Sequence, residues 1–262
     1  DYSCDKKFIF FPGGPEGGPF GTIVYNGAVA AAEHTGCDVD YYWSQWNSEI
    51  MIKQFKEAVA LQPDGIAIYG FPGDAAMRPI INEAREMGIV ITTMNTPLPD
   101  LEAELKTTGF GYAGADLFAA GFNLGKKAVE VCGLSAGDKA FVWGLASMPN
   151  RGERTKGAIA GVEEMGVEVV YQEIPDNVNS DAAQGTPMYV ATYAANPDIK
   201  MAITDHGGLT ASLPTYMKAA GHGSEEVCGA GFDLSAPIVD GINSGYIDIV
   251  IDQQPFIQGY RP

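Results

Sequence analysis

The sequence is poor in positive charge and in histidine. Its 262 residues include 16 lysines and arginines, 33 aspartates and glutamates, and three histidines, so its formal net charge at pH 7 is −17. Because the acidic residues are spread along the chain, they disfavour binding to nucleic acid and to anionic membranes. The longest apolar runs have the length of a strand, which is too short for a membrane span. These absences exclude classes of partner without selecting one.

The glycine-rich loop at 11–21 lacks the spacing of a nucleotide-binding motif. No two of its glycines are two positions apart, so it cannot form G-x-G-x-x-G, and no Gly-Lys-Ser/Thr follows it. Neither a G-x-S-x-G elbow nor an H-E-x-x-H motif is present. His34, His206 and His222 are poorly placed for a metal site, and we expect neither a metal nor a cofactor. Carboxylates abound, so an acid–base pair stays open.

The four cysteines show no C-x-x-C or metal-like spacing. Cys4 and Cys37 each precede one of the first two predicted strands, so a Cys4–Cys37 disulfide is geometrically reasonable if those strands are parallel neighbours. Cys132 and Cys228 both fall in the later part of the chain, and we expect them to form the second pair. Four free thiols in a cytosolic protein remain the alternative.

Strand-like runs alternate with apolar residues at helical spacing along almost the whole chain. This alternation predicts an α/β protein whose parallel sheets carry helices on both faces. It breaks once, at 95–108, and a short run at 109–113 precedes a second series, which predicts two similar lobes. The predicted strands are 7–11, 38–43, 65–70, 89–94, 139–143, 167–172, 201–205, 227–232 and 247–251.

Aromatic and polar side chains follow these strands, where open α/β sheets bind their ligands. Aromatic faces pack against the C–H faces of sugars, and amides and carboxylates hydrogen-bond paired hydroxyls. Each residue also has a structural alternative: core packing for the rings, a turn or helix cap for Asn95 and Asp233, and a structural role for His206. Joint placement at successive strand ends favours the binding hypothesis for Phe20, Trp46, Asn95, Asn150, Arg151, Asp205, His206, Asp233 and Gln253.

Six short segments together carry a family resemblance. They are G-P-F at 18–20, D-G-I-A-I at 64–68, I-T-T-M-N at 91–95, R-x-x-G at 154–157, G-F-D at 231–233 and D-Q-Q-P at 252–255. The last two, in this order after the others, are the most specific. With these segments the chain resembles the periplasmic sugar-binding proteins of bacterial ABC importers, of the ribose- and galactose-binding type.

The resemblance implies the type I periplasmic binding protein fold. Two Rossmann-like lobes, 1–114 plus 254–262 and 115–253, would be joined by a hinge and would close on a ligand in the cleft between them. Phe20 would stack on a sugar, Asn95 would hydrogen-bond it, and Asp233 and Gln253 would bind hydroxyls. His206 stands where Asn is usual, with Asp205 sharing its contact, and Trp46 would add a second stacking face.

Two positions depart from the ribose-type pattern. Thr96 and Gly152 replace arginines, with Asn150 and Arg151 adjacent to the second, so the ligand need not be ribose. Only nine residues follow Gln253, whereas the resemblance implies a last helix and a third crossing, so we expect a shortened C-terminal region.

We therefore predict a secreted or periplasmic solute-binding protein whose signal peptide has been removed. It would be a monomer without enzymatic activity that captures a small sugar or polyol and delivers it to a membrane ABC permease. One alternative is the sensor half of a transcription regulator, which requires a helix-turn-helix before the first strand, where only residues 1–6 stand. The other alternative is an α/β enzyme acting on a small polar substrate.

Overall fold

The computed structural model describes residues 4–262, which divide into two compact units. Unit 1 comprises the described residues up to Ala115, Pro149–Arg151 and Gln254–Pro262, and unit 2 comprises Asp116–Met148 and Gly152–Gln253. Each unit contains a five-stranded parallel sheet with helices packed against it, so the predicted α/β class is confirmed.

The strands and helices of the described chain alternate in sequence. The strands are β1 (Lys7–Phe10), β2 (Asp38–Tyr41), β3 (Gly65–Tyr69), β4 (Val90–Met94), β5 (Gly111–Ala113), β6 (Lys139–Gly144), β7 (Glu168–Glu173), β8 (Ile199–Thr204), β9 (Cys228–Phe232) and β10 (Ile249–Ile251). The helices are α1 (Pro19–Thr35), α2 (Ser48–Ala60), α3 (Asp74–Glu86), α4 (Pro99–Leu105), α5 (Leu117–Val131), α6 (Glu153–Glu164), α7 (Asp176–Ser180), α8 (Thr186–Ala195), α9 (Gly207–Ala219), α10 (Ala236–Asn243) and α11 (Pro255–Tyr260).

The two sheets have related strand orders. Unit 1 runs β2-β1-β3-β4-β5 and unit 2 runs β10-β9-β8-β6-β7, all in parallel register. The inner strands are buried on both faces and are therefore nearly continuous apolar runs, as in Phe141-Val-Trp143 of β6. Because every strand is parallel, the carboxyl ends of each sheet's strands lie along one edge.

The interruption at 95–108 has structure of its own. It contains α4, which begins at Pro99, and a 3₁₀ turn at Lys106–Thr108. Proline suits a first helical position because it needs no N–H partner there. The run at 109–113 contains β5, which pairs with β4. The residues after Gln253 also form a helix, α11, again with proline at its first position.

Helices α5 and α6 of unit 2 pack backbone against backbone. Gly121 and Gly125 on α5 face Gly157 and Gly161 on α6, and a Cβ atom at any of the four would collide with the other helix's backbone. In both helices the two glycines are four residues apart, so they lie on one face, and these two faces are in direct contact. This contact fixes the position of α6 on its sheet.

In the described chain, each unit contains one disulfide. The unit 1 bond joins residues that precede β1 and β2, and the unit 2 bond joins the C-terminal end of α5 to the start of β9. Cys4 is bonded to Cys37 with their Cα atoms 4.6 Å apart, and Cys132 to Cys228 with a Cα separation of 5.8 Å. These are the two expected pairs. Among residues 4–262, none of the helices has both the length and the hydropathy that crossing a bilayer requires.

Removing either disulfide should lower the free energy of unfolding by about 2–4 kcal/mol. The loss should be larger for Cys132→Ser/Cys228→Ser than for Cys4→Ser/Cys37→Ser, because the closed loops span 96 and 33 residues. Urea unfolding of both double variants measures the difference. Four reactive thiols in the denatured, unreduced wild type would contradict the pairing.

Candidate functional site

Two predicted site residues of unit 1, Phe20 and Trp46, belong to an aromatic group at the ends of β1, β2 and β3. Its members are Phe20, Trp46, Tyr69 and Phe71, and Trp46 is its centre. The Trp46 ring centroid lies 6.0 Å from Phe20, 5.4 Å from Tyr69 and 6.3 Å from Phe71. Tyr69 and Phe71 are buried, whereas Phe20 and Trp46 are partly exposed. The core alternative concerns Phe20 and Trp46, and both of these predicted stacking residues keep part of their surface accessible.

Trp46 is anchored by the glycine-rich loop. Its backbone N–H donates to the carbonyl of Gly13 over 3.0 Å, and the Ser44 hydroxyl donates to the same carbonyl over 2.7 Å. The N–H of Gln45 donates to Gly14 over 3.3 Å. The loop after β1 and the loop after β2 are therefore one hydrogen-bonded structure.

Asn95 stands at the end of β4 in the left-handed conformation, with φ of 57° and only 7% of its surface exposed. Its Nδ2 donates to Oε1 of Gln258 on α11 over 3.1 Å, and its carbonyl accepts from the Tyr112 hydroxyl over 2.9 Å. Its side chain is thus directed by α11. Sequence reasoning missed Gln258, although it lies on the helix that D-Q-Q-P begins.

Asn150 uses both amide protons within unit 1. Its Nδ2 donates to Oδ2 of Asp74 over 2.9 Å and to the carbonyl of Pro97 over 3.1 Å. Asp74 also accepts from the N–H of Leu101, in the first turn of α4. Arg151, next in the chain, is buried. A ligand role for Asn150 stays a prediction, and its Oδ1 is the atom that would serve it.

Asp233 of unit 2 accepts a hydrogen bond from the start of helix α9. Its Oδ2 accepts from the N–H of Gly207, the first residue of α9, over 2.9 Å. The cap residue of α10 is Ser235, and it makes no side-chain capping bond. The alternative that Asp233 caps the helix beginning near Ser235 therefore does not hold, and its ligand role stays a prediction. A carboxylate at the start of α9 is favoured by the helix dipole.

A chain of hydrogen bonds leads from Arg154 to Asp233. Arg154 donates to Oε1 of Gln253 over 2.7 Å, and Nε2 of Gln253 donates to Oδ1 of Asp233 over 2.5 Å. Arg154 is 2% exposed, and its guanidinium lies 4.5 Å from the Phe232 ring centroid and donates to the carbonyl of Asp205 over 3.2 Å. In the sequence, Arg154 was recognised only as part of the R-x-x-G segment at a helix start. Its role as the donor that orients Gln253 was missed.

Asp205 is held inside unit 2 by its neighbours. Its Oδ2 accepts from the N–H of Leu145 over 3.2 Å and from the hydroxyl of Thr155. His206 is the cap residue of α9, has extended backbone and is partly exposed. The structure therefore brings three predicted residues of unit 2, Asp205, Asp233 and Gln253, into one network centred on Arg154.

The two sets of residues suit a neutral, hydroxyl-rich ligand. Unit 1 offers two partly exposed rings and the amide of Asn95, and unit 2 offers carboxylates already oriented by N–H donors. Over residues 4–262, no group of three or more His, Cys, Asp or Glu side chains is arranged to hold a metal ion.

Comparison with protein families gives one match over almost the whole chain. Residues 9–262 match the family model described as a periplasmic binding protein domain. Among curated proteins, the xylose/arabinose-binding protein of Sulfolobus acidocaldarius is 22% identical over 238 residues, which are 86% of this chain. The chain spans 57% of the length of that relative.

Solved structures resemble this chain over nearly its full length. A glucose-galactose binding protein from Geobacillus stearothermophilus is 22% identical, with a TM-score of 0.83 over 98% of this chain and 88% of the other. A solute-binding protein of Burkholderia graminis in complex with D-arabinose is 21% identical, with a TM-score of 0.84 over 99% and 86%. A carbohydrate transporter of Acidothermus cellulolyticus in complex with myo-inositol is 22% identical, with a TM-score of 0.80 over 97% and 83%. These likenesses show the fold alone.

Replacing Arg154 by Met should lower the free energy of unfolding by about 3 kcal/mol, because buried acceptors on Gln253 and Asp205 lose a charged donor. Lys156→Met is the matched control on α6. Its ammonium lies in an exposed pair with Glu153, so the change should cost at most about 0.5 kcal/mol. Urea unfolding compares them, and equal losses would show that Arg154 is not central.

Proposed function

This chain belongs to the periplasmic binding protein domain family and has its type I, two-lobed α/β fold, and we propose that it captures a small sugar or polyol without altering it. The observation that carries the proposal is the oriented carboxylate of Asp233. A carboxylate fixed by N–H donors at a strand end can accept from hydroxyls without first reorganising. The partly exposed rings of Phe20 and Trp46 add the complementary apolar face.

The similar proteins indicate the class of ligand. Their names give xylose and arabinose, glucose and galactose, D-arabinose and myo-inositol. All are neutral compounds with several hydroxyls on a carbon skeleton. We extend this class to the present chain as a pentose, a hexose or a related polyol.

Each predicted residue takes a role in this proposal. Phe20 and Trp46 stack on the ligand, and Asn95, Asn150 and Arg151 hydrogen-bond it from unit 1. Asp205, His206, Asp233 and Gln253 bind it from the lobe 115–253. The ligand favours a closed form because only there would both lobes contact it.

We further propose that the protein acts outside the cytoplasm and hands its ligand to a membrane ABC permease as a monomer. The family is named for periplasmic binding proteins, and two disulfides are typical of an oxidising compartment. The net charge of −17 keeps it soluble and away from anionic lipid.

A thermal-shift screen tests the proposal with D-xylose, L-arabinose, D-glucose, D-galactose and myo-inositol. A ligand present at 100 times its Kd should add about 2.7 kcal/mol of stability and raise the melting temperature. Recovery of the bound compound unchanged would distinguish capture from catalysis. If no compound of this panel or of a wider set of polyols stabilised the protein, the proposed function would be wrong.

Replacing Asp233 by Ala should weaken binding of the most stabilising compound by about 100-fold, because its hydroxyls lose a charged acceptor. Asp233→Asn should be more stable than Asp233→Ala, since it keeps one oxygen acceptor. Its affinity should lie between those of the wild type and Asp233→Ala. Asp240→Ala, an exposed carboxylate on α10, is the control and should bind like wild type. Calorimetric titration measures all three, and wild-type affinity in Asp233→Ala would remove this residue from the site.

A further inference from the structure

We propose that the backbone of Gly13 and Gly14 forms a seat for the Trp46 indole, and that Gly14 is a positioning residue for ligand binding through that ring. This inference rests on the proposed function for its effect on affinity. The seat itself rests on contacts within unit 1. It assigns a purpose to the part of the glycine-rich loop that precedes Phe20.

The indole lies directly against the two glycines. A Cβ atom built on Gly14 would stand 2.6 Å from Nε1 and 2.7 Å from Cε2 of Trp46. One built on Gly13 would stand 2.5 Å from Cζ3 and 2.8 Å from Cη2 of the same ring. These atoms span both rings of the indole. The absence of side chains at both positions is therefore what lets the ring lie there.

The backbone that carries Trp46 is held in a strained form by the same loop. Gln45 and Trp46 both have positive φ, 56° and 55°, which residues with side chains rarely adopt. Such strain persists only where neighbouring contacts enforce it. Here the carbonyls of Gly13 and Gly14 accept from the N–H groups of Trp46 and Gln45. The loop thus holds Trp46 both by its backbone and by its ring.

The remaining sides of the ring are only partly covered. Tyr69 meets it edge to face, with an interplanar angle of 84°, and Phe20 lies tilted at 50°. A ring fixed on one face loses little rotamer freedom when a ligand packs on it. Gly14 should therefore contribute to affinity without touching the ligand.

Gly14→Ala is the cleanest test of the seat. Gly13 has φ of 92°, so a side chain there would add backbone strain to the collision, whereas Gly14 is outside the left-handed region. Gly111→Ala is the matched control in unit 1, because a Cβ there meets nothing within 4 Å. Any effect peculiar to Gly14→Ala then reports the collision with Trp46.

A double-mutant cycle with Trp46→Ala shows whether Gly14 acts through the ring. With the most stabilising compound of the sugar panel as probe, Gly14→Ala and Trp46→Ala should each weaken binding by about tenfold. The double variant should bind no worse than Trp46→Ala, and Gly111→Ala should bind like wild type. Losses that multiply in the double variant, or full affinity in Gly14→Ala, would overturn the proposal.

A readout without ligand keeps the seat testable if the proposed function fails. The Trp46 contribution to near-ultraviolet circular dichroism is the difference between each protein and the same protein with Trp46→Phe. That difference should change between wild type and Gly14→Ala and stay constant for Gly111→Ala. An unchanged difference in Gly14→Ala would overturn the seat, whatever the sugar screen finds.

Discussion

A buried guanidinium must be surrounded by acceptors, and in unit 2 this requirement organises the ends of three strands. Arg154 reaches the carbonyl of Asp205 after β8 and the amide of Gln253 after β10, and that amide holds the carboxylate of Asp233 after β9. The positive charge also lies over the Phe232 ring, a favourable contact in a desolvated place. One cation therefore sets the orientation of the polar groups that we assign to the ligand.

The position of that cation depends in turn on glycine. Arg154 lies on α6, and its carbonyl contacts α5 where a side chain at Gly121 would collide with it. Unit 1 uses the same device, because α11 carries Gln258, which directs Asn95, and Gly259 lies against the backbone of α1. In both units a helix approaches its neighbour closely enough to place a polar side chain behind a candidate binding residue. Gly121 and Gly259 thus contribute to the site through packing.

The sequence predicted the strands and helices well and the hydrogen-bond partners of the site residues poorly. Alternation of apolar runs located nine strands to within a few residues, but the polar stretch at 95–108 concealed α4, whose start depends on Pro99. Gln253 was recognised from its motif, whereas its donor Arg154 lies 99 residues earlier, and no local pattern connects them. The same holds for Asn95 and Gln258, 163 residues apart. Pairs of this kind are set by the fold and cannot be inferred from spacing.

The glycine-rich loop after β1 has the composition of a phosphate-binding loop, but its hydrogen bonds are not those of one. A phosphate cradle requires backbone N–H groups directed at the anion. In this loop the N–H of Gly14 donates to Pro12 and that of Gly18 donates to Pro15, while the carbonyls of Gly13 and Gly14 accept from the Trp46 segment. The loop thus turns its acceptors toward the protein and uses two of its donors on itself. Gly13 and Gly14 make room for the Trp46 indole, which suits a ligand with apolar C–H faces better than an anion.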